Sequence, residues 1–481
     1  MEDEAEQGTR IWPGDALTRS EWLLLLVLAA VQFTHSMDFM VMMPLGPQCR
    51  QELHINPQEF AIVVSSYGFS AAIAGLLAAF FIDRFDRKNM LLVLYAGLIT
   101  GTLLCAIAPG YWWLMLARIV AGAFGGIGGA FILVIIGDAF PEIRRGRATG
   151  VVMTAFSIAS IAGLPAGIML GNRFGIRTPF GILGLFGLAT WVVAFKILPP
   201  MRGHMGRLAP SSPSPLPPKR VERGERGDSA FPVGTNGVLH GSASSLALKE
   251  TGWRESVAET LTMLRQPAHL RAFSFMIMLV LGSFTIAPHF SDFLVHNVGR
   301  EKDDLAYVYL CGGLLTFVTL PLVGRCADRF GKRRVFRLMA GCTLVTILAL
   351  TNLPAAALAP LLMITTLYWI FTSGRWVPAM ALVTSSALPR YRGSFMSINA
   401  SLQQMAIGLA AVIAGAVIGE APSGMLTGYS TAGIIAAMST GISMLLAGGL
   451  RVAQEIAETS RAVDSPDDSP VLAPAVEDLV S

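Results

Sequence analysis

Gly324-Arg325-Cys326-Ala327-Asp328-Arg329-Phe330-Gly331-Lys332-Arg333-Arg334 is a short basic stretch set between two long apolar runs. A second version stands earlier in the chain, Ala79-Phe80-Phe81-Ile82-Asp83-Arg84-Phe85-Asp86-Arg87-Lys88. Further along, Pro141-Glu142-Ile143-Arg144-Arg145-Gly146 is echoed by Pro389-Arg390-Tyr391-Arg392-Gly393 at nearly the same offset. Matched motifs at one spacing mean an internal repeat, and hence two halves built alike.

What separates these motifs is apolar. Hydrophobic residues make up 53% of the 481-residue chain and charged ones 14%, against about 25% charged in an ordinary soluble domain. Mean hydropathy is +0.57. That excess of apolar side chains calls for lipid as the solvent. Runs long enough to cross a bilayer, about twenty residues each, read at 21–43, 57–82, 89–108, 111–137, 147–171, 178–198, 271–296, 303–325, 335–353, 358–387, 393–419 and 425–450. The expected fold is therefore all-α and integral to the membrane, with twelve transmembrane helices in two pseudo-symmetric six-helix bundles. Trp22, Trp112 and Trp113 stand at span ends, where aromatic belts form.

Charge sets the orientation. Loops on one side carry about fourteen Lys and Arg, among them Arg84, Arg87, Arg144, Arg325 and Arg392; loops on the other carry Arg50, Arg173, Arg177, Arg300 and Lys302. The positive side is expected inside. Both termini then lie in the cytoplasm, and the location expected is the cytoplasmic (inner) membrane of a bacterium. The first twenty residues are acidic and the first apolar run is too long for a signal-peptide core, so no cleavable leader is expected.

This divides the chain into an N-terminal tail at 1–20, a first bundle at 21–198, a linker at 199–265, a second bundle at 266–450 and an acidic tail at 451–481. The linker is rich in Pro, Ser, Gly and Arg and is expected to be disordered. Within it Trp253, Val257, Leu261 and Leu264 recur at helical spacing, the pattern of a helix at 253–264 lying on the membrane surface.

Several function classes drop out. No basic cluster with interleaved aromatics points to nucleic acid. Five cysteines without a C-x-x-C give neither a metal site nor a disulfide framework. Without a G-x-x-x-x-G-K-[ST] loop or a nucleophile–base arrangement, neither an enzyme nor an ATP-driven pump is indicated, and no cofactor is implied. An ion gradient is the expected energy source.

The repeated basic motif resembles that of the major facilitator superfamily, whose G-x-x-x-D-R-x-G-[RK]-[RK] pattern lies between spans two and three. The resemblance covers all twelve spans. The copy at 324–333 is complete; the first has Ala79 and Asp86 at the glycine positions. Asp86 is expected to take the left-handed backbone that glycine supplies more easily. The resemblance implies a gate on the cytoplasmic side, formed by Asp83, Arg84, Arg87, Asp328, Arg329 and Gly331. Arg118-Ile119-Val120-Ala121-Gly122 is similar to the family's R-x-x-x-G of span four, which in proton-coupled members sits near a titrating carboxylate of span one. Gly163-Leu164-Pro165-Ala166-Gly167 resembles a reduced form of the glycine–proline motif of members that run as antiporters, so Gly163, Pro165 and Gly167 join the candidate residues. The implied partners are a small-molecule substrate, protons and the lipid bilayer, with a monomer as the working unit. The branch most alike is proton-coupled drug and sugar efflux.

Ionisable residues inside spans are costly and so are functional candidates. Asp38 lies about one and a half turns from the end of span one, and Arg118 about two turns from the same surface. The two are expected to face each other. A reversible proton carrier needs a carboxylate whose proton affinity changes with its surroundings, and burial and a nearby arginine pull in opposite directions. His35, one turn from Asp38, is a candidate to share the proton. His289-Phe290-Ser291-Asp292-Phe293 in span seven repeats the H-x-x-D-F of residues 35–39, which makes Asp292 a secondary candidate. Arg375 in span ten has no obvious partner; an anionic substrate, Asp292 or a backbone carbonyl are the options. Asn399, Gln403 and Gln404 lie on or near one face of span eleven and are candidates for the cavity wall. The glycines at 122, 125, 126, 128 and 129 read as close packing. Three functions stay open: a proton-driven exporter, an importer or symporter on the same fold, and a membrane sensor or scaffold.

Overall fold

The computed structural model describes residues 18–78, 85–199, 201, 266–387 and 392–450. The surface helix expected at 253–264, Asp83 and Arg84 lie outside the described residues.

Span one, Arg19–Val41, starts at Thr18, whose hydroxyl caps the Glu21 backbone N–H while the Glu21 carboxylate reaches back to the Thr18 N–H. That reciprocal capping box satisfies two helix-end donors. Spans two to four are Pro57–Ala78, Arg87–Ile107 and Tyr111–Ala139. Span five comprises Glu142–Ile158, a π-turn at Ala159–Gly163 and Leu164–Phe174. Pro165 has no N–H to return to the preceding turn, and the widened turn absorbs that loss, with Leu164 N bonding to Ala159 O. Span six is Arg177–Ile197.

The second half follows the same order. Span seven breaks near one end into Pro267–Phe284, a 3₁₀ turn holding Pro288, and Phe290–His296. Spans eight, nine, eleven and twelve are Asp304–Phe330, Lys332–Thr351, Arg392–Val417 and Tyr429–Gly448. Among the described residues eleven helices are by themselves long and apolar enough to cross a membrane. The twelfth, span ten, is divided at Arg375 into Leu358–Gly374 and Trp376–Ser386. Pro378 cannot donate to the Gly374 carbonyl, which explains the division of a run expected to be one helix.

Large apolar side chains point outward along these helices, including Ile73, Leu185, Val345 and Leu445. A soluble protein would not display them so widely; a bilayer would cover them. The charged groups Asp38, Arg118 and Arg375 are instead wholly enclosed.

The helices end on two faces. The basic one carries Arg87, Arg144 and Arg333 at its helix starts. The halves meet along spans two and eleven, where a Cβ on Gly68 would lie 2.8 Å from the Gln404 carbonyl oxygen. They meet again along five and eight, where one on Gly313 would lie 3.0 Å from the Ser160 carbonyl oxygen. Small residues at both seams let the backbones touch.

At the basic face the two motif copies differ. Gly331 links spans eight and nine with φ +92°, a conformation that asks for glycine. Asp86, at the matching position, has φ −57° and is not left-handed as expected. Its carboxylate instead caps span three, accepting from Lys88 N at 2.9 Å and from Met201 N at 3.1 Å. An aspartate is well suited to such a cap, which removes the need for a positive φ.

Candidate functional site

Asp38 is fully enclosed in the first half. Thr102 Oγ1 of span three donates to its Oδ1 at 2.7 Å, and Arg118 Nη1 of span four donates to its Oδ2 at 3.0 Å. The same Arg118 nitrogen reaches the Asp38 carbonyl oxygen at 3.1 Å. The guanidinium lies 4.3 Å above the Tyr67 ring of span two. Spans three and four therefore meet at the carboxylate of span one, span two covers the guanidinium, and the charge of Asp38 is matched by a single arginine.

His35 lies in the same compartment. Among the described residues neither of its ring nitrogens has a hydrogen-bond partner, nor does the Tyr67 hydroxyl. The imidazole fits beside Gly129, where a Cβ would stand 3.1 Å from its Cε1. Tyr67 also packs on Phe39, the residue after Asp38.

The glycine–proline stretch of span five lies against this site. A Cβ on Gly163 would meet Met37 Sδ at 2.3 Å, and one on Gly167 would meet Val41 Cγ2 at 2.9 Å. Span five is thereby pressed onto the part of span one that carries Asp38. The same span is in contact with span eight of the other half through Gly313.

The remaining candidates are dispersed. Asp292 lies away from Asp38, at the face opposite the basic one. There it pairs with Arg50 of the short helix Gly46–Leu53, and Arg50 also pairs with Glu420. His296 Nδ1 stands 3.1 Å from Asp292 Oδ1. Asn172 donates to Asp303 at 2.8 Å and Gln58 to the Ile418 carbonyl at 3.0 Å. Among the described residues, every hydrogen bond between the two halves lies at this face. The structure is thus latched there. Cys49, next to Arg50, is buried, and that burial pushes its thiol well above the usual range.

Arg375 pairs with no carboxylate among the described residues, and Asp292 is not its partner. Nη1 donates to Thr440 Oγ1 at 2.9 Å; Nη2 donates to Ser283 Oγ at 2.7 Å and to the Leu279 carbonyl at 3.4 Å. Asn399 is buried, its Oδ1 unpartnered among the described residues, and Gln403 is half-buried. At the basic face, Arg87 is buried and pairs with Asp138 of span four at 2.9 Å. Asp328 and Arg329 are exposed, with the Arg329 guanidinium 5.4 Å from the Phe330 ring.

Sequence reading passed over Arg50, Glu420 and Thr102. Arg50 was visible as a lone basic residue in a loop on the less basic side; nothing marked the other two.

Two six-helix halves around a buried acid–guanidinium pair agree with the comparison to protein families. The Major Facilitator Superfamily model matches residues 28–411 and 272–474. This chain belongs to the major facilitator superfamily. It is accordingly a multi-pass membrane transporter and not an enzyme. Relatives in this superfamily include the uncharacterized MFS-type transporter YwfA of Bacillus subtilis (strain 168), 24% identical over 90% of this chain and 93% of the relative. YbcL of the same organism is 24% identical over 73% and 78%. Among solved structures, a bacterial homolog of the human lysosomal transporter Spinster, inward-facing and unoccupied, superposes with a TM-score of 0.60 at 15% identity, covering 96% of this chain and all of that one. The nucleoside transporter NupG gives 0.62 at 12% identity, covering 89% and 99%. At such identities the likeness is one of fold.

Proposed function

We propose that this superfamily member is a proton-coupled antiporter that exports a small organic solute by alternating access, as a monomer. It would work in the cytoplasmic membrane of a bacterium with the basic face and both termini inside. The Asp38–Arg118 pair carries this reading. It is the one closed acid–base pair in the middle of the first half among the described residues, and it adjoins both the seam and span five.

Protonation of Asp38 would cancel one charge of the pair and free Arg118 from its main acceptor. Because Met37 and Val41 pack on Gly163 and Gly167, a change in the Asp38 side chain is felt by the helix that touches the second half. Opening to the outside then requires release of Arg50 from Asp292 and Glu420. The glycine-lined seams at two–eleven and five–eight provide the surfaces on which the halves rock. At the basic face, Asp83 and Asp328 with Arg84, Arg87 and Arg329 would form the opposing gate.

The test is a substrate screen with the purified protein in liposomes, under an imposed proton gradient of either sign. An antiporter moves its solute against the proton flow, so uphill movement should appear only with the opposed gradient. Movement along the proton flow would replace this reading with symport. Absence of gradient-driven movement across the panel would count against transport coupling altogether.

A further inference from the structure

The two halves enclose unequal charge. Phe39 of span one and Phe284 of span seven touch across the seam, with ring centroids 6.1 Å apart. An offset of 245 residues separates this pair, and the same offset separates Asp83 from Asp328 and Asp86 from Gly331. Elements related by a two-fold repeat meet their own counterparts at its axis. Ser283, which precedes Phe284, therefore stands in span seven where Asp38 stands in span one. The H-x-x-D-F echo at 289–293 is out of this register, which is why Asp292 lies elsewhere.

An arginine reaches each of these positions. Arg118 finds a carboxylate at Asp38. Arg375 finds a hydroxyl at Ser283, a second at Thr440 and a carbonyl at Leu279. Both hydroxyls already donate to their own helices, Ser283 to Leu279 O at 3.2 Å and Thr440 to Ala436 O at 2.9 Å, so they offer Arg375 lone pairs only. Neutral acceptors spread the charge without cancelling it. Arg375 is 0% exposed, its Nε has no partner among the described residues, and a guanidinium does not shed its proton in a protein. An unbalanced cation of this kind is costly inside a membrane and marks a ligand path by default.

The same span supplies an apolar wall. Tyr368 and Trp369, about two turns from Arg375, pack with Phe290 and Tyr309. The Trp369 indole N–H also lacks an acceptor among the described residues. A cation beside an aromatic cluster matches a molecule with an anionic head and an apolar body, and a carboxylate or phosphonate would fit the arginine fork better than hydroxyls do.

We propose that Arg375 anchors a substrate site within the second half and that the substrate is a small organic anion with an aromatic or apolar body. This rests on the reading of the chain as a transporter. The anion would supply to the second half the negative charge that Asp38 supplies to the first.

The experiment uses full-length protein in lipid nanodiscs and three probes of one shape: hydrocinnamate, its amide and the corresponding primary amine. Binding is followed by tryptophan fluorescence, since Trp369 and Trp376 flank Arg375, and by ligand-induced thermal stabilisation. Hydrocinnamate should bind about tenfold or more tighter than the amide, the factor expected from one charge-assisted bond. Arg375→Gln should erase the difference and Arg375→Lys should keep part of it. Should Arg375→Gln fail to fold, the three probes on the unmodified protein and on Arg375→Lys still decide. Equal binding of acid and amide, preference for the amine, or no binding by any probe overturns the proposal. Retained uphill flux in the liposome screen together with such a result would strike the anion site alone. Lost flux with a clear anion preference would strike the antiport reading and spare the site.

Discussion

Arg50, on the short helix after span one, and Asp292, in span seven, form an ion pair across 242 positions of sequence, with the two side chains 7% and 0% exposed. This contact and the Arg50–Glu420 pair join the two halves at the face opposite the basic one. In the proposed cycle, a latch so placed opens once per turnover.

Cys49 gives a native reporter of that opening. Its thiol is buried, and burial holds it in the unreactive protonated form. Arg50→Gln is expected to raise the rate of Cys49 labelling by a membrane-impermeant maleimide about tenfold, equivalent to shifting the equilibrium by about 1.4 kcal/mol. The rate in the variant should climb with pH as the newly solvated thiol ionises nearer its ordinary range. Unaltered labelling would mean that the pair does not hold this face shut.

The Asp38–Arg118 pair should show the asymmetry of buried ions. Arg118→Met leaves a carboxylate enclosed without its cation and is expected to cost about 3–5 kcal/mol. Asp38→Asn combined with Arg118→Met should recover most of the loss, because no charge is stranded. Thermal unfolding of the four proteins in one detergent measures this. A double variant no more stable than Arg118→Met alone would show that charge balance is not what holds these helices.

Glycines of span four divide into two kinds. A Cβ on Gly122 would lie 2.4 Å from the Tyr67 carbonyl oxygen, whereas Gly128 has nothing within 4 Å. Gly122→Ala is expected to destabilise by about 1–3 kcal/mol through overpacking, and Gly128→Ala to be close to neutral. Equal effects in a thermal melt would contradict the close approach of spans two and four.

Much of this was legible in the residues. Apolar runs mark the spans because lipid demands them, and the matched Asp83 and Asp328 motifs reveal the two halves. The facing of Asp38 and Arg118 followed from counting turns from a common surface. Other features were not legible. Nothing local ties Arg50 to Asp292 or Glu420, since only packing of the halves brings them together. The H-x-x-D-F echo misled because its offset of 254 residues is out of register with the 245 that separates Asp83 from Asp328 and Phe39 from Phe284. Asp86 was expected in a glycine-like turn, but a cap on span three was available to it and needed no positive φ. Span ten read as one helix because a single proline in an apolar run does not announce how far its break extends.

In the proposed cycle Asp38 takes up and releases a proton as the halves rock. Gradient-driven flux through Asp38→Asn in liposomes tests it most directly, read beside solute exchange in the absence of a gradient. Uphill flux should disappear while downhill exchange persists, since the asparagine keeps the shape and loses the titrating group. Uphill flux at the unmodified rate would contradict it.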